Sequence, residues 1–250
     1  MKIREIYEYL IEMAPLELQE GYDNAGFLFG SLDTEISKVL LALDATSEVI
    51  EEAHEKDCNL IITHHPLIFG SFKNVLTEDV TGRKLMKLAK YEINVLSMHT
   101  NLDKVLVNEV LIKKLGVLTY QQVMDYMRVG YLENPMQMSE YLPFLKKQLS
   151  DTGFRYYDAG RPVYKIGCIG GAGDEGLFDA VAQGCDTYVT ADVRHHVWLA
   201  AKELGINLID ADHFNTENPV IPELCAILSD KYRNIPFITA ESGVQVVNYA

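Results

Sequence analysis

Along the chain, apolar positions switch between two spacings in a regular way. Residues 2–13 place Ile3, Ile6, Tyr7, Leu10 and Ile11 at helical spacing. Residues 38–44 (KVLLALD), 59–63 (NLIIT) and 93–98 (INVLSM) are short, nearly unbroken apolar runs, the pattern of strands buried on both faces. Amphipathic stretches at 47–56 and 81–90 predict helices between them. The alternation then returns, with strands at 164–169 (YKIGCI), 187–190 (TYVT) and 206–209 (INLI) and helices at 175–183 and 194–204. Strands that alternate with helices predict an α/β fold with largely parallel sheets and right-handed crossovers.

The two stretches also share lettering. AHEKDCNLIITHH (53–65) aligns with AVAQGCDTYVTAD (180–192), and INVLSMH (93–99) with INLIDAD (206–212). The chain therefore reads as two similar α/β halves. Residues 126–162 supply a strand (MRVGYL), a helix over 139–150 (SEYLPFLKKQLS) and a turn at Gly160-Arg161-Pro162. The tail, 237–247, reads as a strand that returns to the first half. The expected division is 1–125 with 220–250 as one half and 126–219 as the other. In both halves the strand C-terminal ends are where such sheets place ligands.

The chain has 250 residues, 48% hydrophobic and 23% charged, enough for a substantial core. Thirty-six acidic against 22 basic residues give a net charge of -14, which repels phosphate backbones and argues against nucleic-acid binding. A small anionic substrate stays compatible if metal ions supply local positive charge. Cys58, Cys168, Cys185 and Cys225 form no CxxC pair and read as reduced, buried hydrophobes. The N-terminus lacks the apolar core of a signal peptide, and no run is long enough to span a bilayer. A cytoplasmic protein is expected.

Candidate chemistry gathers at three predicted strand ends. His64-His65-Pro66 follows NLIIT, His99-Thr100-Asn101-Leu102-Asp103 follows INVLSM, and 210–217 (DADHFNTE) follows INLI. Pro219 is placed to open the last helix, so Glu217 is expected in the turn before it. A histidine pair or a lone HxxxE is as readily a surface or packing feature. Three such groups at strand ends point to a metal site. Imidazole and carboxylate donors without thiolate suit Zn, Fe, Mn or Co. Residues 171–176 satisfy GxGxxG after a strand, with Asp192 further on, as a dinucleotide fingerprint would. Asp174 and Glu175 would repel a pyrophosphate there, so a tight strand-to-helix turn is expected. Arg194, beside Asp192, His195 and His196, is expected in a structural pairing.

These motifs together resemble the GTP cyclohydrolase 1 type 2 homologues, the Ngg-interacting-factor-three-like proteins. The resemblance runs through YDNAGFLFG (22–30), THHPLIF (63–69), HTNLD (99–103), GGAGD (170–174), TADVRHH (190–196) and DHFNTE (212–217). It implies two divalent metal ions, with His64, His65, Asp103, His213 and Glu217 as ligands. Position by position, it puts His65 and Asp103 on one ion, His64 and His213 on the other, and Glu217 as the bridge, with the site at strand C-terminal ends between the halves. It further implies a ring-shaped homohexamer and hydrolysis of a nucleotide, GTP being the named case. The alternative is a non-enzymatic, oligomeric metal-binding scaffold or metal handler. Tyr22 stands where Trp is common in the family, Asp212 where Gly is usual and Ala191 where Gly is frequent; none removes a ligand. His99 is the candidate catalytic group, as a proton shuttle or an orienter of the ligand loop, against the plainer reading of a satisfied buried imidazole.

Overall fold

A computed structural model describes residues 1–71, 73–149 and 153–248. The chain divides into two compact units, one formed by Met1–Val105 and Ile221–Val244, the other by Leu106–Val220 and the chain from Gln245. Position 125, expected to separate the halves, thus lies inside the second unit.

The first unit contains β1 (Gly26–Phe29), β2 (Val39–Ala42), β3 (Leu60–Thr63) and β4 (Asn94–Ser97). The second contributes β5 (Thr119–Val123), β6 (Met127–Met136), β7 (Arg155–Tyr157), β8 (Val163–Cys168), β9 (Thr187–Thr190) and β10 (Asn207–Asp210). The last strand, β11 (Phe237–Thr239), returns to the first unit.

In the first unit the sheet order is β1-β4-β3-β2-β11. Pairings β4/β3, β3/β2 and β2/β11 are parallel and β1/β4 is antiparallel. Every residue of β2, β3 and β4 is buried, as befits parallel strands covered on both faces. Helices Ser47–Glu55 and Val80–Tyr91 link these strands, and Val49, Ile50, Ala53, Leu85 and Leu88 pack with Leu40, Ile61 and Val95.

The second unit has the order β5-β6-β8-β9-β10-β7. Its centre, β8-β9-β10, is parallel, and β5, β6 and β7 add antiparallel pairings around it. Helices Met138–Gln148 and His195–Leu204 lie where sequence spacing places them; Ser150, the end of the expected 139–150 helix, falls outside the described residues. Pro143 lies inside the first of these, between the fully buried side chains of Tyr141 and Leu145. The aligned segments 53–65 and 180–192 contain β3 and β9, each flanked on both sides by a parallel strand. Cys58 and Cys185 precede them, and both thiols are buried, with burial raising each pKa to about 11. Among the described residues no helix is long and apolar enough to cross a membrane.

The tail forms a shorter strand than its 237–247 pattern suggests, and what fastens the residues after it is a carboxylate. Glu52, 8% exposed, accepts from the backbone N–H groups of Glu241 at 2.9 Å and Ser242 at 2.8 Å and from Lys56 Nζ at 2.8 Å. Burial alone would raise its pKa; bonds from Lys56, the Ser242 hydroxyl and those amides outweigh it and bring it down to about 2. Because the folded value lies below the ordinary 4.5, the contribution is complete above that pH and is lost as pH falls towards 2. Glu52→Gln is expected to cost about 2 kcal/mol in urea unfolding at neutral pH. The gap from wild type should shrink as pH falls through that window; a gap independent of pH would contradict this account.

Candidate metal centre

In the first unit the site grows from the C-terminal ends of β3 and β4. The backbone N–H of His65 still donates to Leu43 O at 2.9 Å, so the histidine pair extends the ladder one step past the strand. The Thr63 hydroxyl then closes the turn by donating to His65 O at 2.8 Å, with Ser97 Oγ 2.7 Å away. Adjacent residues on extended chain point apart, yet at this turn the His64 and His65 ring centroids lie 5.0 Å apart. His99, at the end of β4, stands 5.2 Å from His64 and 5.5 Å from His65 by the same measure. Ligand atoms of His64, His65 and His99 all lie within 4.8 Å of one another. Asp103 opens a π-helical stretch, Asp103–Val107, a distortion common at functional sites. Its Oδ1 is 3.4 Å from His64 Nε2.

In the second unit β10 ends at Asp210, whose buried carboxylate accepts from Val193 N at 3.1 Å and pairs with Arg155. Asp210 is therefore structural. Residues His213–Glu217 form a short helix, where the sequence suggested a turn. One helical turn brings His213 Nε2 and Glu217 Oε2 to 3.0 Å. Asp212 caps this helix through its side chain, accepting from Asn215 N, with its own backbone at φ 72 and ψ 141. That conformation belongs to glycine, in keeping with the glycine that the resemblance leads one to expect there.

One regularity unites the four imidazoles. His64 Nδ1 lies 2.8 Å from Met98 O, His65 Nδ1 2.8 Å from Asp44 Oδ1, His99 Nδ1 2.7 Å from Asp23 Oδ1, and His213 Nδ1 2.7 Å from Asp192 Oδ2. A carbonyl or an ionised carboxylate only accepts, so each Nδ1 must carry the proton. In a neutral ring this leaves the lone pair on Nε2, the form in which imidazole binds a metal ion, and an acceptor behind the ring is the usual device that holds it there. The carboxylates facing His213 Nε2 at 3.0 Å and His64 Nε2 at 3.4 Å then stand where a shared cation would replace a proton. The residues present thus fit a divalent cation.

Asp23 is the most constrained of these acceptors. Its side chain is fully buried and also accepts from Asn24 N at 2.7 Å, Thr100 N at 3.0 Å and the Thr100 hydroxyl. Burial would raise its pKa, but the bonds from His99 and Thr100 hold the carboxyl well below the usual range. Sequence spacing does not reveal Asp23 or Asp44 as partners, because the histidines they hold lie 76 and 21 residues away. The available signal was an aspartate in a turn and another at the end of β2.

The glycine-rich segment has a structural role. Asp174 receives Arg194 through Nε and Nη2, each at 2.8 Å, and through its backbone N–H at 3.0 Å, so the expected pairing of Arg194 is present. The turn's acidic group is occupied by the chain's own guanidinium, and a 3-10 turn, Asp174–Gly176, precedes a helix of only six residues. Among the described residues these features do not form a dinucleotide cradle. His195 and His196 stand exposed on the first turn of the following helix. Gly171, at φ +62, has another use: a Cβ there would collide with Glu217 Oε1. Gly173 faces Ile169 Cγ2 at 2.6 Å and Thr190 Oγ1 at 2.7 Å from the position of such a Cβ.

The family model described as Duf34/NIF3 (NGG1p interacting factor 3) matches residues 1–243. A Clostridium perfringens protein named GTP cyclohydrolase 1 type 2 homolog is 37% identical over 97% of each chain. A Helicobacter pylori protein named GTP cyclohydrolase 1 type 2 is 32% identical over 86% of each. Among solved structures, a Staphylococcus aureus hypothetical protein superposes with a TM-score of 0.93 at 28% identity, covering 100% of this chain and 99% of that one.

The two glycines should respond differently to a methyl group. Gly173→Ala overpacks a tight turn and is expected to cost about 1–3 kcal/mol of stability with zinc uptake unchanged. Gly171→Ala should instead push the Glu217 carboxylate aside and weaken zinc binding by about 10–100-fold, the range for residues that support a ligand. Melting curves with zinc titrations of both variants check this; equal zinc affinity in Gly171→Ala and wild type would contradict it.

Proposed function

The chain belongs to the Duf34/NIF3 (NGG1p interacting factor 3) family, and from that premise we propose a hydrolase that works through two divalent cations on a nucleotide or related small molecule. The observation that carries the proposal is that the Nδ1 atoms of four imidazoles each face an acceptor, which in the neutral rings leaves Nε2 of His64, His65 and His213 as ligand atoms and Nε2 of His99 as a base. The proposed ligands are His64, His65, Asp103, His213 and Glu217. Asp103 lies 3.4 Å from His64 Nε2, which favours sharing a cation with His64 over the pairing with His65 that the resemblance implies. His213 and Glu217, 3.0 Å apart in the second unit, enter the set by resemblance, with Glu217 as the bridge. The ring-shaped homohexamer also belongs to the proposal, on the same ground.

Divalent cations, when bound, lower the pKa of water and offset charge that develops on the substrate. The chain's own residues do the rest. Asp23, held ionised in a fully buried position, fixes His99 with Nδ1 protonated. His99 Nε2 is then free to accept a proton beside His64 and His65, and the imidazolium formed is stabilised by Asp23. Asp44 holds His65 in orientation in the same way. GTP is the first substrate to test, because it is the compound in the relatives' names.

Elemental analysis of zinc-reconstituted protein should find about two ions per chain, since five ligands exceed one tetrahedral set. His64→Ala should lose metal and turnover together. At saturating zinc, His99→Ala should keep both ions and lose about 10²–10⁴-fold in GTP turnover, the usual worth of a positioned base. Wild-type protein that carries two ions yet converts no nucleotide would instead favour a metal-binding scaffold.

A further inference from the structure

Two large aromatic side chains in the first unit are left unused by the metal reading. Tyr22 and Phe69 are 67% and 63% exposed, yet they lie side by side, with ring centroids 6.4 Å apart and planes tilted by 55°. Phe69 also meets His99 nearly edge to face, at 6.4 Å and 82°. The aromatic surface therefore runs up to the imidazoles of His64, His65 and His99.

The pair is held from behind. Asn24 Nδ2 donates to Ile68 O at 2.8 Å, which ties together the two loops that carry the rings. Asp23, next to Tyr22, is anchored to His99 and Thr100. Burial raises the Tyr22 pKa, and Glu20, Asp23 and Asp103 push it the same way. Its hydroxyl is thus a proton donor at neutral pH, within the electrostatic reach of Asp103.

A single exposed aromatic needs no explanation. Two in contact, held by part-buried bonds and continuous with the proposed base His99, form a surface that a ligand would cover. The chemistry of that ligand follows from the faces offered. Planar π-systems gain offset stacking on such rings, beyond the area they bury. A membrane surface is disfavoured, because the charges that act on Tyr22 are mostly acidic, Glu20, Asp23 and Asp103 against Lys104, and the chain carries a net charge of -14.

We propose that Tyr22 and Phe69 form a subsite that stacks a planar heteroaromatic ring of the substrate beside His99, with the Tyr22 hydroxyl donating to a polar atom on that ring. The subsite rests on the hydrolase reading for where the reacting atoms lie, while ring binding is measurable without turnover. The same stacking would act on purines, pyrimidines and pterins, so the shared feature is the flat heterocycle.

The test is calorimetric titration of zinc-loaded protein with guanosine 5′-monophosphate and with ribose 5-phosphate, which differ by the ring alone. Wild-type protein should prefer the nucleotide by about tenfold or more. Phe69→Ala and Tyr22→Ala should each remove most of that preference, with ribose 5-phosphate affinity and zinc content unchanged. Tyr22→Phe should keep the stacking part. Equal affinity for the two probes in wild type, or no binding of either, would overturn the subsite. So would variants that keep the preference but change oligomeric state, which would make the pair a contact between copies. Ring preference in protein that carries two ions yet converts no nucleotide would support the subsite while removing the hydrolase reading, so the two failures are distinguishable.

Discussion

An imidazole can ligate a cation only through a nitrogen that has no proton, and in water neither ring nitrogen is reserved for that use. In this chain the choice is made by what stands behind each ring. Met98 O, Asp44, Asp23 and Asp192 each accept a hydrogen bond from the Nδ1–H of one histidine. The rest of the local architecture follows from those four bonds. β3 must stop at Thr63 so that His64 can reach Met98 O across the neighbouring strand. β2 must end so that Asp44 lies beside His65. The turn before β1 must bury Asp23 completely, which Asn24 N and Thr100 N make tolerable by donating to it. A buried carboxylate without such donors would cost several kcal/mol.

Close approach explains positions that charge does not. Gly171 leaves room for the Glu217 carboxylate, and Asp212 accepts a backbone conformation suited to glycine while its side chain caps the helix that carries His213 and Glu217. Strain at Asp212 is offset by the bond from Asn215 N, and the Gln245 side chain also donates to its carboxylate. The GxGxxG lettering of residues 171–176 is thus the footprint of packing. Its glycines face Glu217, Thr190 and Tyr188, and its acidic group is taken by Arg194.

Much of this was legible in the sequence because parallel strands buried on both faces write themselves as short apolar runs. β2, β3, β4, β9 and β10 all fall on such runs. The antiparallel strands were harder. β1 (GFLF), β5 (TYQQV) and β7 (RYY) are short and largely half-exposed or exposed, so neither alternation nor a continuous apolar run marks them, and β6 was legible only in its apolar first half. The second compact unit begins at Leu106, ahead of position 125, and β5 joins its sheet by pairing with β6. Candidate ligands were visible as polar letters at strand ends, whereas Asp23 and Asp44 were invisible as partners because their roles are set by folding distance and not by spacing. The acidic composition likewise hid which carboxylates turn to hold a histidine.

Long-range proton–nitrogen correlation spectra of histidine-labelled protein, before and after zinc is added, read the protonation of each ring nitrogen directly. The account predicts that His64, His65, His99 and His213 carry their proton on Nδ1 at neutral pH in the zinc-free protein. On adding zinc, the Nε2 signals of His64, His65 and His213 should move to metal-ligated values, with Nδ1 still protonated. Rings protonated on Nε2, or Nε2 signals that zinc leaves in place, would contradict it.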